Sequence, residues 1–334
     1  MPVYNAERFL NESIDCILNQ TFPHFEFLII DDKSTDTSVQ IVEGYNDSRI
    51  RLVKNEKNIG VAATLNKGIQ LATCELIARM DADDYSYPQR LEKQYNHFQK
   101  HPDCVLLYTF SRKITMDRTK SVDKVFNPEH VYFNLLFHCP IRHPSVMYKR
   151  SVIMEAGMYH NTYVEDFNLW FRISRKYKLD HLNEILFEYR VTDSSTSRVL
   201  RKKESEDAHF DQVRSHVQFY TGPDFKLNDN EIEFLRGLKA ESVIKENVRS
   251  FFINCFKKLD YITTCVQQKK PSFVSAQSIV DAANEKKHKL LLNLMKYGKG
   301  QDVIPILLEL GYYKLLMKVL SKKVLKKSHF YNSN

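Results

Sequence analysis

The sequence predicts an α/β fold, an open, mostly parallel sheet flanked by helices over residues 1–198, followed by an α-helical region over residues 199–334. Through the first half, short apolar runs of strand length alternate with segments whose apolar residues recur every three or four positions. Two of those runs end in acidic clusters, Asp31-Asp32 and Asp81-Ala82-Asp83-Asp84. Beyond about Arg198 glycine becomes rare, charges and leucines dominate, and patterns such as Glu231 to Val248 and Lys286 to Lys296 are helical.

Ala6 to Gln20 reads as an amphipathic helix through Phe9, Leu10, Ile14, Ile17 and Leu18. Phe25 to Ile30 is nearly continuous in apolar residues, as a parallel strand covered on both faces requires. Ser34 or Asp36 then caps a helix through about Tyr45. Arg49 to Lys54 is a strand pattern, and Asn58-Ile59-Gly60 introduces a helix over Val61 to Ala72. A third strand, Glu75 to Met80, ends in the second acidic cluster, and Pro88 suits the first turn of a helix reaching Lys100. Cys104 to Tyr108 is a further strand. Ligands of such sheets bind beyond the carboxyl ends of the strands, so both acidic clusters point at one crevice. The pattern opens with Met1-Pro2-Val3-Tyr4-Asn5 and passes straight into a helix, so the first strand of the sheet reads as missing, either lost or lying upstream of Met1.

The 334 residues suffice for one large α/β domain with an appendage, and 43% hydrophobic with 12% aromatic residues exclude a disordered chain. There is no apolar run of the roughly 18 residues a spanning helix needs. Met1 is not followed by a signal-peptide pattern, which leads us to expect a cytoplasmic chain. The six cysteines (16, 74, 104, 139, 255 and 265) are scattered, a spacing that fits buried free thiols better than a zinc or disulfide framework. A net charge of +8 suits an anionic partner, a nucleotide or an anionic membrane face. No DNA- or RNA-binding signature occurs, so nucleic acid is not expected. Tyr312 to Lys327 sets Leu315, Leu316, Val319 and Leu320 against Lys314, Lys318, Lys322 and Lys326. Such a helix fits the inner face of an anionic membrane, or packs its leucines on the rest of the protein with its lysines in water.

The chemistry centres on carboxylates. A nucleotide diphosphate needs its charge offset before it can leave, and a hard divalent cation on one or two carboxylates does this. Asp81-Ala82-Asp83, in the turn leaving a strand, is placed to hold one, although Asp-rich turns are often merely solvated. Glu165-Asp166 opens a helical pattern through Phe167, Leu169, Trp170 and Phe171, where the helix dipole favours negative charge. The pair is either an acidic helix start with no further duty or the general base that sugar transfer to a hydroxyl requires.

The chain resembles the family 2 glycosyltransferases of bacterial cell-surface polysaccharide synthesis, which have the GT-A fold, a Rossmann-like sheet. The resemblance covers about residues 1–198. It is carried by Pro2-Val3-Tyr4-Asn5-Ala6-Glu7, by Leu18 to Phe22, by Phe27 to Asp36, and by Asn58-Ile59-Gly60. Further on it is carried by Ala78 to Asp84, Pro88 to Leu91, His143 to Met147 and the Glu165-Asp166 segment. It implies that Pro2 and Tyr4 line the base pocket of a UDP-sugar donor and that Asp32 hydrogen-bonds the base. It further implies that Asp81 contacts ribose or donor sugar, that Asp83 ligates Mn²⁺ or Mg²⁺, and that Asp166 is the base of an inverting transfer, assisted by Glu165. The acceptor would be a glycan or lipid-linked hydroxyl. His143 lies in the stretch that lines the acceptor side in relatives, with a purely structural histidine as the competing reading. Arg79 is placed to reach phosphate, or else forms a surface ion pair. The family's Tyr-Arg-x-His segment reads here Tyr189-Arg190-Val191-Thr192, with Asp193 as a substitute ligand. Two other readings compete. One is an inactive or donor-binding-only relative lacking the first strand. The other is a sugar nucleotidyltransferase, which would want a Gly-rich, Arg-containing phosphate loop near the N-terminus that the sequence lacks.

Overall fold

The computed structural model describes residues 1–115, 119–122, 126–191, 202–237, 248–297 and 300–314. The chain divides into two compact units, Met1–Leu135 with Cys139–Gln212, and Leu136–His138 with Val213–Asn334.

The first unit is α/β, with its strands in two sheets. β1 (Pro2–Val3), β2 (Phe27–Asp31) and β3 (Ile50–Lys54) are all parallel, with Val3, Asp31 and Lys54 in register at their carboxyl ends. Helix α1 (Leu10–Leu18) follows β1, α2 (Ser38–Glu43) follows β2, and α3 (Val61–Leu71) follows β3. The strand that read as missing is present as the two-residue β1. Ile30 donates to the Met1 carbonyl at 2.9 Å and Asp32 to that of Val3 at 2.8 Å. Two residues carry no periodicity, so no sequence pattern could announce them.

The second sheet departs from the expectation of one mostly parallel sheet. It comprises β4 (Leu76–Ala78), β5 (Tyr85–Ser86), β6 (Leu106–Ile114), β7 (Lys120–Val122), β8 (Met147–Lys149) and β9 (Leu179–Arg190) in the order β4-β8-β6-β9-β5, with β7 beside β6. Only β6 and β9 pair in parallel; the other pairings are antiparallel. Which strand pairs with which is a long-range choice that local pattern does not encode. Helix α4 (Arg90–Lys100) precedes β6, α5 (Val131–Asn134) and α6 (Arg150–Glu155) flank β8, and α7 (Glu165–Ser174) leads into β9. Val3, Leu10, Ile14, Met80, Ala82 and Phe187 share one core cluster, so the start of the chain, α1 and the acidic turn after β4 are packed together.

The remaining described elements are helices, α8 (Lys202–Thr221), α9 (Asp229–Arg236), α10 (Val248–Lys269), α11 (Ala276–Tyr297) and α12 (Gly300–Glu309). Asn228 and Glu231 form a capping box at the start of α9, and Gly237 ends it in the left-handed conformation. Helix α10 buries Phe252, Cys255, Phe256, Leu259, Ile262 and Val266, the three- and four-residue spacing of one apolar face. No helix among the described residues is long and apolar enough to cross a membrane. The basic amphipathic segment expected through Lys327 lies outside the described residues beyond position 314, and so do Thr192 and Asp193.

Candidate active site

Two loops leave the carboxyl ends of β1 and β2 side by side, and they are laced together. Asn5 donates its amide to Ser34 Oγ at 3.0 Å, Thr35 returns one to Asn5 Oδ1 at 2.8 Å, and Ala6 donates to Ser38 Oγ at 2.9 Å. Asn5 (φ 49°) and Lys33 (φ 67°) hold left-handed backbone there, a conformation non-glycine residues keep only where surroundings impose it. Tyr4 projects from this rim, 52% exposed, beside half-buried Pro2. Asp32 is buried, and its carboxylate accepts from Asn55 Nδ2 (2.8 Å) and from the amides of Ile59 (2.9 Å) and Gly60 (2.9 Å). That arrangement fixes the turn into α3, where Gly60 at φ 84° meets a requirement other residues resist.

Beyond β4 the chain turns through Arg79 to Asp84. Arg79 is 5% exposed and pairs with Asp81, so the ion pair that was one of its two expected roles is buried rather than at the surface. Burial works against the charge of Arg79, yet the neighbouring Asp81 carboxylate makes the guanidinium keep its proton more tightly than usual. Its carbonyl is gripped by fully buried Arg90, whose guanidinium also donates to Ser86 Oγ (3.0 Å), Gln94 Oε1 (3.1 Å) and the Val146 carbonyl. Arg190, the last residue of β9, donates its Nε to the Asp83 carbonyl and its amide to Asp84 Oδ1, both at 2.8 Å. Ser13 of α1 donates to the Asp84 carbonyl at 2.8 Å.

Asp81, Asp83 and Asp84 each offer a carboxylate oxygen, and these lie within 4.8 Å of one another. Burial and then the Asp81 charge push Asp83 up to about 6, and burial with both neighbours raises Asp84 well above the carboxylate range. Asp84 Oδ2 is buried with no hydrogen-bond partner. Crowded acidic oxygens of this kind fit a hard divalent cation, whose charge relieves their repulsion.

Glu165 and Asp166 form the first turn of α7, and both are partly buried. Burial, followed by the Asp166 charge, lifts Glu165 to about 7; burial raises Asp166 as well. Asp166 accepts from the Phe167 amide at 2.6 Å, with the Cys139 thiol 3.8 Å from its other oxygen. His143 is buried and is held neutral by burial and by the Arg79 charge. It hydrogen-bonds Tyr159 Oη at 2.8 Å, and its Nδ1 stands 3.8 Å from Glu165. Tyr159 is anchored in turn, since Asn66 of α3 exchanges two hydrogen bonds with its backbone.

Arg79 joins the two acidic groups. Its charge acts on Asp81, Asp83 and Asp84 on one side and on Glu165, Asp166 and His143 on the other, and Glu165 also feels Asp81. The residues singled out in the sequence after β4 and at the start of α7 thus share one electrostatic environment, while Pro2, Tyr4 and Asp32 lie along the rim of the parallel sheet. Sequence reasoning passed over Asp84, Arg90, Tyr159 and Arg190. Asp84, Arg90 and Arg190 stand inside segments already read, but their partners are remote in sequence. An apolar cavity of about 250 Å³, lined by residues such as Phe22, Leu65 and Met147, reaches Arg79 but none of the five carboxylates, so it is not where charge is handled.

Residues 1–156 match the family described as Glycosyl transferase family 2. The chain is 35% identical over 218 residues to a glycosyltransferase of Methanocaldococcus jannaschii, covering 61% of this chain and 74% of that one. It is 30% identical over 200 residues to the UDP-Glc:alpha-D-GlcNAc-diphosphoundecaprenol beta-1,3-glucosyltransferase WfgD of Escherichia coli, covering 59% and 78%. Among solved structures it resembles residues 1–349 of S. aureus TarS, alone (TM-score 0.55) and in complex with UDP (TM-score 0.51), at 15% identity and with 89% and 90% of the two chains covered. The likeness in structure extends to the GT-A-type fold.

Proposed function

We infer, because the chain belongs to glycosyl transferase family 2 and is a glycosyltransferase, that it moves a sugar from a UDP-sugar to a hydroxyl of a glycan or lipid-linked acceptor with inversion at the anomeric carbon. The observation that carries the reading is the convergence of Asp81, Asp83, Asp84, Glu165 and Asp166 on the one buried guanidinium of Arg79. The named E. coli relative uses UDP-Glc and makes a β-1,3 bond. UDP-glucose carries its sugar in the α configuration, so that product requires inversion. The structural neighbour was solved with UDP. Surface polysaccharide synthesis is the process we assign, on the same relatives.

In this reading Tyr4 and Pro2 flank the base at the rim, and Asp32 sets the turn that closes the pocket beside it. Asp83, with Asp81 and Asp84, would hold Mn²⁺ or Mg²⁺, which would supply positive charge against the departing diphosphate. Asp166 takes the proton of the acceptor hydroxyl while that oxygen bonds the anomeric carbon, and the electron pair of the broken bond leaves on UDP. Glu165, set by His143 and Tyr159, orients the acceptor. A general base of this kind contributes roughly 10²- to 10⁴-fold.

The test is UDP release and product formation by the purified chain with Mn²⁺ and a panel of UDP-sugars. Asp166→Asn should abolish transfer while leaving UDP binding nearly intact, and Asp83→Ala should weaken both metal-dependent donor binding and turnover. Wild-type turnover in Asp166→Asn would remove the base assignment. A product that retains the donor's anomeric configuration, read by NMR, would remove inversion.

A further inference from the structure

We propose that the chain carries a zinc site, separate from the acidic crevice, formed by His97 Nε2, Cys104 Sγ and one carboxylate oxygen of Asp180. Each of these residues offers a ligand atom within 4.8 Å of the other two. They come from three places that the fold brings together: the last turn of α4, the loop before β6, and the second residue of β9. β6 and β9 run parallel here with Leu107 opposite Asp180, so the site lies at the amino ends of these strands. Arg190, ten residues further along β9, is the one that grips Asp83 and Asp84. At about 3.3 Å per residue the two places are roughly 30 Å apart.

The His97–Asp180 separation fits a shared ion better than a direct hydrogen bond, and the Cys104 thiol faces the same carboxylate. His97 Nε2 and Asp180 Oδ2 are 3.4 Å apart. That is longer than the roughly 2.7–3.2 Å of a good N–H···O bond. Two ligand atoms each about 2.1 Å from one tetrahedral zinc, however, stand about 3.4 Å from each other. The His97 ring is fixed by His101, with centroids 4.3 Å apart. Cys104 is 2% exposed, and its amide is tied to the His101 carbonyl at 2.9 Å, which sets the thiol one short turn beyond the helix. Lys178 lies 3.4 Å from Asp180 Oδ1, on the other oxygen, so it leaves Oδ2 to the metal. A nitrogen, a sulfur and an oxygen ligand with water in the fourth position suit zinc among the common divalent ions. On binding, the Cys104 S–H bond breaks, its proton goes to solvent, and the sulfur lone pair bonds the metal. Thiolate and carboxylate together then cancel the ion's two positive charges. The site pins the end of α4 to the starts of β6 and β9. Cysteine spacing alone hid it, because only one of the ligands is a cysteine.

Cobalt reports the site directly, since a thiolate on tetrahedral Co²⁺ gives a charge-transfer band in the near ultraviolet. The full chain, stripped with EDTA and titrated with Co²⁺, should develop that band at one equivalent and lose it on adding Zn²⁺. Cys104→Ser, checked for folding by circular dichroism, should lack the band. Asp180→Asn and His97→Gln should each need at least tenfold more Co²⁺. Cys74→Ser, which removes the exposed thiol, and the paired change Asp81→Asn with Asp83→Asn should keep the band. Absence of the band in the wild type, its survival in Cys104→Ser, or its loss with the two aspartate changes would each overturn the proposal.

Discussion

Replacing Arg79 by methionine keeps an unbranched apolar stem, two atoms shorter, and removes the charge from among five carboxylates. Opposite charges about 4 Å apart at an effective dielectric of about 20 attract by about 4 kcal/mol. Removing one partner of a buried pair costs about 3–5 kcal/mol, because the other is left uncompensated. Asp81 keeps 28% side-chain exposure and can be rehydrated, so the lower end, about 3 kcal/mol, is the expected loss. For a unit of this size that corresponds to a fall in melting temperature of roughly 6–12 °C. Trp170, the single tryptophan of the chain, is fully buried on α7 with its ring edge-on to His143, so its fluorescence in a urea titration reports this unit. Asp81→Asn in the Arg79→Met background should lose less than the sum of the two single changes. A loss below about 1 kcal/mol for Arg79→Met, or strict additivity of the pair, would refute the role given to this guanidinium.

Glu165 is lifted by burial and by Asp166 from an ordinary 4.5 to about 7. The folded state therefore binds the proton more tightly than the unfolded one, and the associated stability is complete below about pH 4.5 and lost as pH rises through about 7. Glu165→Gln should match the wild type near pH 4.5 and become progressively more stable than it up to pH 8; a gain that shrinks with rising pH contradicts this. Lys286 is the mirror case in the second unit. Burial lowers it from 10.5 to about 7, with its amine donating to the Leu235 carbonyl at 2.9 Å over the Phe137 ring. Here the folded state holds fewer protons between about pH 7 and 10.5, so native stability from this group rises with pH across that interval. Lys286→Met should stabilise the second unit most at or below pH 7 and least near pH 10.5, and melting curves showing an equal effect at both ends would count against a buried neutral amine.

Much of the first unit can be read from local pattern because its elements bury continuous faces. The run ending in Asp31, the strand after Arg49, the helix from Val61 and the acidic start of α7 all stand where apolar spacing puts them. β1 and β5, with two residues each, lie below what a pattern can register. The division into two sheets depends on pairings such as β6 with β9 that are remote in sequence. Carboxylates announce themselves by residue type, but the groups that balance them do not. Arginine is usually exposed, and nothing near position 79 tells that this one is buried against Asp81, or that position 190 would bind the turn at 83 and 84. Asp32 adds a second case: the resemblance implied a contact with the base, and the structure shows what local pattern did not, that its carboxylate also accepts from Asn55, Ile59 and Gly60 of its own chain.

A single guanidinium shared by two acidic groups makes them communicate. Burial first and the Asp166 charge second raise the proton affinity of Glu165, and Asp81 adds to it, so positive charge arriving at Asp81 loosens the proton on Glu165. What binds at the turn after β4 is thereby registered as a change in proton affinity at the start of α7.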